Sequence, residues 1–191
     1  MINNLKVMQN MPLSMKIILT KKRIEEFANE VGWEKVFVSF SGGKDSIVLL
    51  DIARQLFNFP AVFIDTGLEY PEIKDFVKTF DEITTIRPKM SFVEVLKKYG
   101  FPLISKEQAQ YIRQYRTCKS EKTKHTRIHG NKWGRGKISK KWLFLLDAPF
   151  KISEQCCDVM KKRPIHKYIK ENKQHVCQIL SKTLKVYIAF V

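Results

Sequence analysis

A buried-strand pattern runs directly into a glycine turn and then into a helical pattern near the start of the chain. Residues 36–40 are nearly all β-branched or aromatic, which is typical of a strand that is buried on both faces. Ser-Gly-Gly-Lys-Asp-Ser follows over 41–46, and an apolar helical pattern continues over 47–56. Because glycine has no Cβ, such a turn can adopt unusual backbone angles and let a ligand approach. The order of strand, glycine turn and helix favours an α/β architecture.

The glycine turn also has the chemistry of an anion-binding site. The first N–H groups of a helix have no partner within the helix, and the helix dipole adds partial positive charge there. Lys44 contributes a full charge, and Ser41 and Ser46 contribute hydroxyl groups. The spacing fits neither a Walker A loop nor a dinucleotide-binding Gly-x-Gly-x-x-Gly turn. The turn predicts a cradle for phosphate or sulfate, and the plain structural alternative is a glycine turn with an exposed lysine.

Strand and helix patterns alternate from residue 35 to residue 100, which predicts a parallel, doubly wound, Rossmann-like sheet. The strands are predicted over 35–40, 61–67 and 83–86. The helices are predicted over 14–31, 43–57, from Pro71 onward, 91–99 and 105–117. Ligands of such sheets bind at the carboxyl ends of the strands. We therefore expect the polar stretches 39–46 and 65–69 to share one crevice.

Composition divides the chain into four segments: an N-terminal helical segment (1–32), an α/β core with the glycine turn (33–112), a basic loop or lid (113–141) and an irregular C-terminal segment (142–191). The net charge is +16, and residues 113–141 hold eleven Lys or Arg and one acidic residue. This basic window could close over a polyphosphate, track a nucleic-acid backbone or remain a solvated loop.

The sequence contains no run of eighteen apolar residues and no apolar leader, so we expect no membrane span and a cytoplasmic location. Its four cysteines are Cys118, Cys156, Cys157 and Cys177. No Cys-x-x-Cys spacing occurs, so the spacing does not predict a zinc site. Neighbouring Cys156 and Cys157 could both ligate a metal cluster, or they could be small packing residues.

Four motifs together resemble one family over about residues 30–172. They are the glycine turn, Phe63-Ile64-Asp65-Thr66-Gly67-Leu68-Glu69-Tyr70-Pro71-Glu72, Tyr99-Gly100-Phe101-Pro102-Leu103-Ile104-Ser105 and Cys156-Cys157-Asp158-Val159-Met160-Lys161-Lys162-Arg163-Pro164. The turn resembles the PP-loop of the adenine-nucleotide α-hydrolase superfamily. The set resembles the phosphoadenosine phosphosulfate (PAPS) reductase family. The resemblance implies a Rossmann-like core that binds an adenylyl nucleotide such as ATP, PAPS or adenylyl sulfate (APS).

The resemblance also implies site residues. The anion cradle would consist of Ser39, Ser41, Gly42, Gly43, Lys44, Asp45 and Ser46, with Lys44, Asp45 and Ser46 as catalytic residues. Asp65, Thr66 and Gly67 would lie near the ribose or the adenine. Since a carboxylate repels an anionic ligand, Asp45 would instead cap the helix or bind Mg²⁺. Asp65 could alternatively be a turn former at the end of its strand.

The chain departs from the family in its thiol motifs. Thiol-dependent reductases of the family carry Glu-Cys-Gly-x-His, and iron–sulfur members pair Cys-Cys with a later Cys-x-x-Cys; this sequence has neither later motif. Cys156, Cys157 and Cys177 make three of the four thiolates that a cluster usually takes. The C-terminal segment could be truncated relative to the family.

Three functions follow from these observations. The first is an oxidoreductase or transferase of sulfur metabolism that acts on a phosphosulfate or phosphoanhydride. The second is an ATP pyrophosphatase-type enzyme of nucleic-acid thiolation or modification, which would hold nucleic acid through residues 113–141. The third is a catalytically incomplete nucleotide-binding module. A homodimer is left open.

Overall fold

The computed structural model describes residues 10–172 and 175–176. These residues form two compact units. The first contains the described residues up to Arg87 and those from Pro164 onward, and the second runs from Pro88 to Arg163. The four segments drawn from composition divide the chain differently, because Ile165 packs with Phe37 and Val62 of the first unit.

The strands of the first unit form one parallel sheet in the order β3-β2-β1-β4. They are β1 (Val36–Phe40), β2 (Ala61–Ile64), β3 (Ile83–Ile86) and β4 (His175–Val176). The described helices are α1 (Leu13–Val31), α2 (Lys44–Arg54), α3 (Pro71–Val77), α4 (Phe92–Tyr99), α5 (Lys106–Thr117), α6 (Glu121–His129) and α7 (Arg163–Asn172). The register places Val38 opposite Ala61 and Ala61 opposite Ile83. The predicted parallel α/β sheet is confirmed.

Both faces of this sheet are covered, because successive side chains of a strand point to opposite faces. Val38 and Phe40 of β1 belong to a core with Ile24 of α1 and Leu50 of α2. Phe37 lies between them in sequence and packs in another cluster, with Ile165 of α7. This alternation explains why the strand has no polar face and confirms the doubly wound arrangement.

Most element boundaries agree with the sequence pattern. Pro71 occupies the start of α3, where its missing N–H costs nothing. The helix predicted over 43–57 is shorter, because α2 ends at Arg54. The chain then turns so that Phe59 is fully buried and stacks on Trp33, with ring centroids 5.8 Å apart.

The second unit is mainly helical. The helix predicted over 91–99 corresponds to α4, and Ser91 and Glu94 form a capping box at its start. The window predicted as a basic loop or lid is helical in part, since it contains the end of α5 and all of α6. Ser120 caps α6 by accepting a hydrogen bond from the backbone N–H of Thr123. Whether residues 113–141 close over a ligand stays a prediction.

The backbone over 158–172 is helical but is not one regular α-helix. Asp158–Lys162 forms a π-helical turn, and α7 begins at Arg163. Proline cannot donate the backbone hydrogen bond of a helix interior, so Pro164 is tolerated in the first turn of α7. Residues 173–174 and 177–191 lie outside the described part, including Cys177 and most of the predicted C-terminal segment.

A close backbone approach organises the second unit at Gly100. Its φ is +109°, and a Cβ there would lie 2.5 Å from the carbonyl oxygen of Lys151. Phe101 next to it bridges with Ile152: its N–H donates to Lys151 and its carbonyl accepts from Ser153. The Tyr99–Ser105 motif therefore has a structural reason for its glycine. In the parts of both units that the structure describes, no helix is long and apolar enough to cross a membrane.

Candidate functional site: the glycine turn and the neighbouring strand end

The glycine turn connects β1 to α2 through Ser41, Gly42 and Gly43. Gly42 has φ +71°, and a Cβ there would lie 2.8 Å from Ile73 Cγ2 and 3.1 Å from Val77 Cγ2 of α3. Only glycine fits this position, because both the backbone angle and the contact with α3 exclude a side chain.

Three backbone N–H groups of the turn are available to a ligand. Within residues 10–172 and 175–176, the amides of Gly42, Lys44 and Asp45 donate to no protein acceptor. Ser46 and Ile47 donate to the carbonyl of Gly43 instead, which begins the helix. The turn is thus an arc of free donors at the positive end of α2.

The two serines brace the turn from inside. The Ser46 hydroxyl accepts from the Ser41 backbone N–H at 3.2 Å and donates to the Gly43 carbonyl at 2.8 Å. The two hydroxyl oxygens lie 3.0 Å apart. Because the Ser46 proton is used on Gly43, Ser41 is the donor in this last pair. Ser39 lies within β1, half-buried and opposite Val62.

Lys44 and Asp45 occupy the first turn of α2 and are exposed. In the described part of the chain, neither side chain makes an ion pair. The prediction that Asp45 caps the helix is wrong, because Gly43 is at the N-cap and no side chain caps α2. The ammonium of Lys44 is left as an unneutralised charge beside the free amides.

The end of β2 forms a second polar group of residues. The buried Asp65 carboxylate accepts from Lys74 Nζ at 2.9 Å, from Arg87 Nε at 3.0 Å and from the Gly67 N–H at 3.1 Å. Thr66 donates through its N–H and its hydroxyl to Glu69. The hydrogen bond from Lys74 is the main cause that holds the pKa of Asp65 below its usual value, although burial opposes it.

Helix α3 joins the two groups within the first unit. Ile73 of α3 contacts Gly42, and the next residue, Lys74, binds Asp65. The glycine turn and the end of β2 therefore lie at the same edge of the sheet, as the strand order requires. Lys74 and Arg87 were missed from the sequence, although Arg87 directly follows β3 and so stands at the same strand edge.

The three cysteines of the described structure are free thiols in different surroundings. Cys156 is half-buried among Val95, Val159 and Met160, and Cys157 is exposed. Cys118 accepts a hydrogen bond from the Ser120 N–H. Within the described residues, no three His, Cys, Asp or Glu side chains are placed to hold a metal ion. The cluster that Cys156 and Cys157 are expected to ligate stays a prediction, because Cys177 lies outside the described residues.

These features define a class of protein: a parallel α/β domain with a glycine turn of free backbone N–H groups at the carboxyl edge of its sheet. Residues 35–179 match the sequence model of the phosphoadenosine phosphosulfate reductase domain. The match covers well over half of the chain, so the chain belongs to this family. Members of the family are enzymes that bind adenylyl nucleotides.

Two proteins of Methanocaldococcus jannaschii are similar to part of the chain. Uncharacterized protein MJ0973 is 38% identical over 87 residues, which are 43% of this chain and 19% of that protein. Uncharacterized protein MJ0066 is 38% identical over 89 residues, which are 44% of this chain and 17% of that protein. The aligned stretch spans less than a fifth of either relative.

Proposed function

We propose that the chain is an enzyme that binds an adenylyl nucleotide at the glycine turn and acts on its phosphosulfate or phosphoanhydride bond. The observation that carries the proposal is the arc of free amides at Gly42, Lys44 and Asp45, next to the unpaired Lys44 ammonium. Fixed donors of this kind bind a tetrahedral oxyanion without first breaking bonds within the protein.

The same donors give the turn a catalytic role. When a nucleophile attacks phosphorus or sulfur, negative charge grows on the oxygens of the attacked group. Preorganised N–H groups and a nearby cation stabilise that charge most when they need not rearrange. The Ser41–Ser46 brace supplies this preorganisation, and Lys44 supplies the charge. Asp45 is the exposed carboxylate that would share a Mg²⁺ ion with the nucleotide phosphates.

Replacing Lys44 tests the proposal. We expect Lys44→Gln to weaken the binding of ATP or PAPS by about 10- to 100-fold, the usual loss for a charge-assisted hydrogen bond. Lys22→Gln is the matched control, since Lys22 is an exposed residue of α1 in the same unit. Isothermal titration calorimetry measures the dissociation constants. Equal affinities of the two variants would remove the glycine turn as the nucleotide site.

A second candidate, activation of a nucleic acid by adenylylation, has one specific observation in its favour. The turn over 130–136 presents Trp133, 70% exposed, with Lys132 Nζ 4.3 Å from its ring. Asn131 Oδ1 fixes this turn by accepting from the backbone N–H groups of Trp133 and Arg135, each at 3.0 Å. An exposed aromatic ring among cations suits base stacking.

In this second candidate, an oxygen of the nucleic acid attacks the α-phosphorus of ATP, forming a P–O bond while pyrophosphate leaves. We then expect Trp133→Ala to weaken the binding of a single-stranded oligonucleotide by about tenfold. Phe144→Ala is the control, because Phe144 is 68% exposed in the same unit. Fluorescence anisotropy at several salt concentrations measures both. Binding that is absent or independent of salt contradicts the candidate.

A further inference from the structure

The second unit contains a recess of about 600 Å³ that is lined entirely by its own residues. Lys98 and Tyr99 contribute from the end of α4, and Arg113 and Arg116 from α5. Lys151 and Ile152 close the recess from the segment that bridges to Phe101. The approach of Gly100 to the Lys151 carbonyl holds the two sides together.

Of the four cations in the wall, one is neutralised. Arg113 makes a bidentate ion pair with Glu154, with its Nη2 2.6 Å from Oε1 and its Nε 3.0 Å from Oε2. Burial is the largest influence on the pKa of Glu154 and would raise it, but the hydrogen bond from Arg113, a backbone hydrogen bond and the charges of Arg113 and Lys106 together lower the pKa. In the structurally described residues, Lys98, Arg116 and Lys151 have no carboxylate partner.

One of the unpaired cations is held rigidly. The guanidinium of Arg116 donates to the carbonyls of Phe150 at 2.7 Å and of Ala148 at 3.0 Å. The ammonium of Lys98 lies 5.5 Å from the Tyr99 ring. Tyr99 and Ile152 add an aromatic and an apolar surface to the wall. The recess thus combines fixed positive charge with a surface for an organic group, at the usual volume of a small-molecule site.

We propose that this recess is a second anion site, which binds a small organic phosphate or sulfate ester. Three unneutralised cations on a concave surface concentrate anions, and the Tyr99 and Ile152 surface favours an ester over the bare ion. The proposal does not depend on the proposed function, because the recess lies in the second unit and the glycine turn in the first.

In the test, isothermal titration calorimetry measures how tightly the full chain binds two probes, phenyl phosphate and phenyl sulfate. The double substitution Lys98→Gln and Lys151→Gln removes two exposed charges, so the fold is kept. Arg113 and Arg116 are left intact. Removing Arg113 would leave the Glu154 carboxylate without its ion pair, and removing Arg116 would leave the carbonyls of residues 148 and 150 without their hydrogen-bond donor. The matched control is Lys97→Gln with Lys140→Gln, two exposed lysines outside the lining that carry the same change in net charge.

We expect the double variant of the recess to bind phenyl phosphate about tenfold more weakly, and the control double variant to bind as the unchanged protein does. Because the proposed site at the glycine turn also takes an oxyanion, the titrations are run in saturating ATP, and Lys44→Gln should then leave the remaining phenyl phosphate binding unchanged. Equal losses in the two double variants would reduce the effect to net charge and overturn the proposal. If phenyl phosphate binding is absent in saturating ATP but present without it, the glycine turn is its site and the recess is not a separate one. If inorganic phosphate binds as tightly as phenyl phosphate, the recess does not recognise an ester and that part of the proposal is wrong. The same holds if an oligonucleotide without a terminal phosphate binds as tightly as phenyl phosphate.

Discussion

Substituting Gly42 tests the physical basis of the glycine turn. In Gly42→Ala the alanine would have to adopt the backbone φ of +71°, and its Cβ would lie 2.8 Å from Ile73 Cγ2 and 3.1 Å from Val77 Cγ2. The left-handed backbone angle alone costs about 1 kcal/mol for alanine. Forcing a methyl group against two packed side chains of α3 costs about 1–3 kcal/mol more.

Gly67→Ala separates the two costs. Gly67 has φ +80°, but a Cβ there would meet nothing within 4 Å, so only the conformational cost of about 1 kcal/mol applies. We expect Gly42→Ala to lower the free energy of unfolding by about 2–4 kcal/mol in total. Urea denaturation followed by circular dichroism measures both variants. Because the turn must shift to admit the methyl group, nucleotide affinity should fall in Gly42→Ala.

The comparison has a clear refuting result. If Gly42→Ala and Gly67→Ala lose the same free energy of unfolding, the contact between the turn and α3 is not as close as described. If Gly42→Ala loses stability but binds nucleotide as before, the backbone of the turn does not hold the ligand. Either outcome removes the argument that β1, the turn and α3 together form the anion site.

Two further predictions concern other parts of the fold. The pKa of Asp65 is lowered, so its ion pairs stabilise the native state fully at pH values above the ordinary pKa of 3.8, and this stability is lost as the pH falls through the native pKa. Asp65→Asn should therefore cost about 2 kcal/mol of unfolding free energy at pH 7 and much less at pH 3. Urea denaturation at both pH values measures the cost, and an equal cost at both would contradict the ion-pair assignment. Gly100→Ala, at φ +109°, places a Cβ 2.5 Å from the Lys151 carbonyl oxygen, so it should lower the free energy of unfolding by about 3 kcal/mol or more. The control Gly134→Ala, at φ +70° with open space around the Cβ, should cost about 1 kcal/mol. Equal shifts of the thermal unfolding midpoint in the two variants would exclude the close approach.

The sequence pattern predicted the parts of the fold that depend on local chemistry. The buried run over 36–40, the turn glycines and Pro71 each have a short-range signal, and all of them lie where the pattern put them. The capping box at Ser91 and Glu94 is likewise readable from four residues. These features determine the order of strands and helices along the chain. Because parallel strands end at the same edge of a sheet, this order is enough to predict that the polar stretches after β1 and β2 lie at that edge.

Features that depend on distant partners could not be predicted. Helix α6 has almost no apolar face, so periodicity gave no signal for it. The approach of Gly100 to Lys151 joins residues 51 positions apart, and only the folded chain brings them together. The ion pair of Asp65 with Arg87 follows from the pairing of β2 with β3, which the sequence implies without its register. The ion pair with Lys74 depends on where α3 packs against the end of β2, which the sequence does not show.

The position of Asp65 explains how a carboxylate would be tolerated beside the proposed anion site. A free carboxylate at the strand edge would repel phosphate, but this one is buried and accepts from two cations and one backbone N–H. Asp65, Lys74 and Arg87 together carry one net positive charge, although Glu69 at the same strand end carries a negative one, and the Arg87 side chain is 77% exposed. Asp65 therefore serves to orient cations at this edge, which reconciles an acidic residue in the motif with an anionic ligand. Asp45 lacks such partners in the described structure, so under the proposed function its charge would have to be balanced by a bound metal ion.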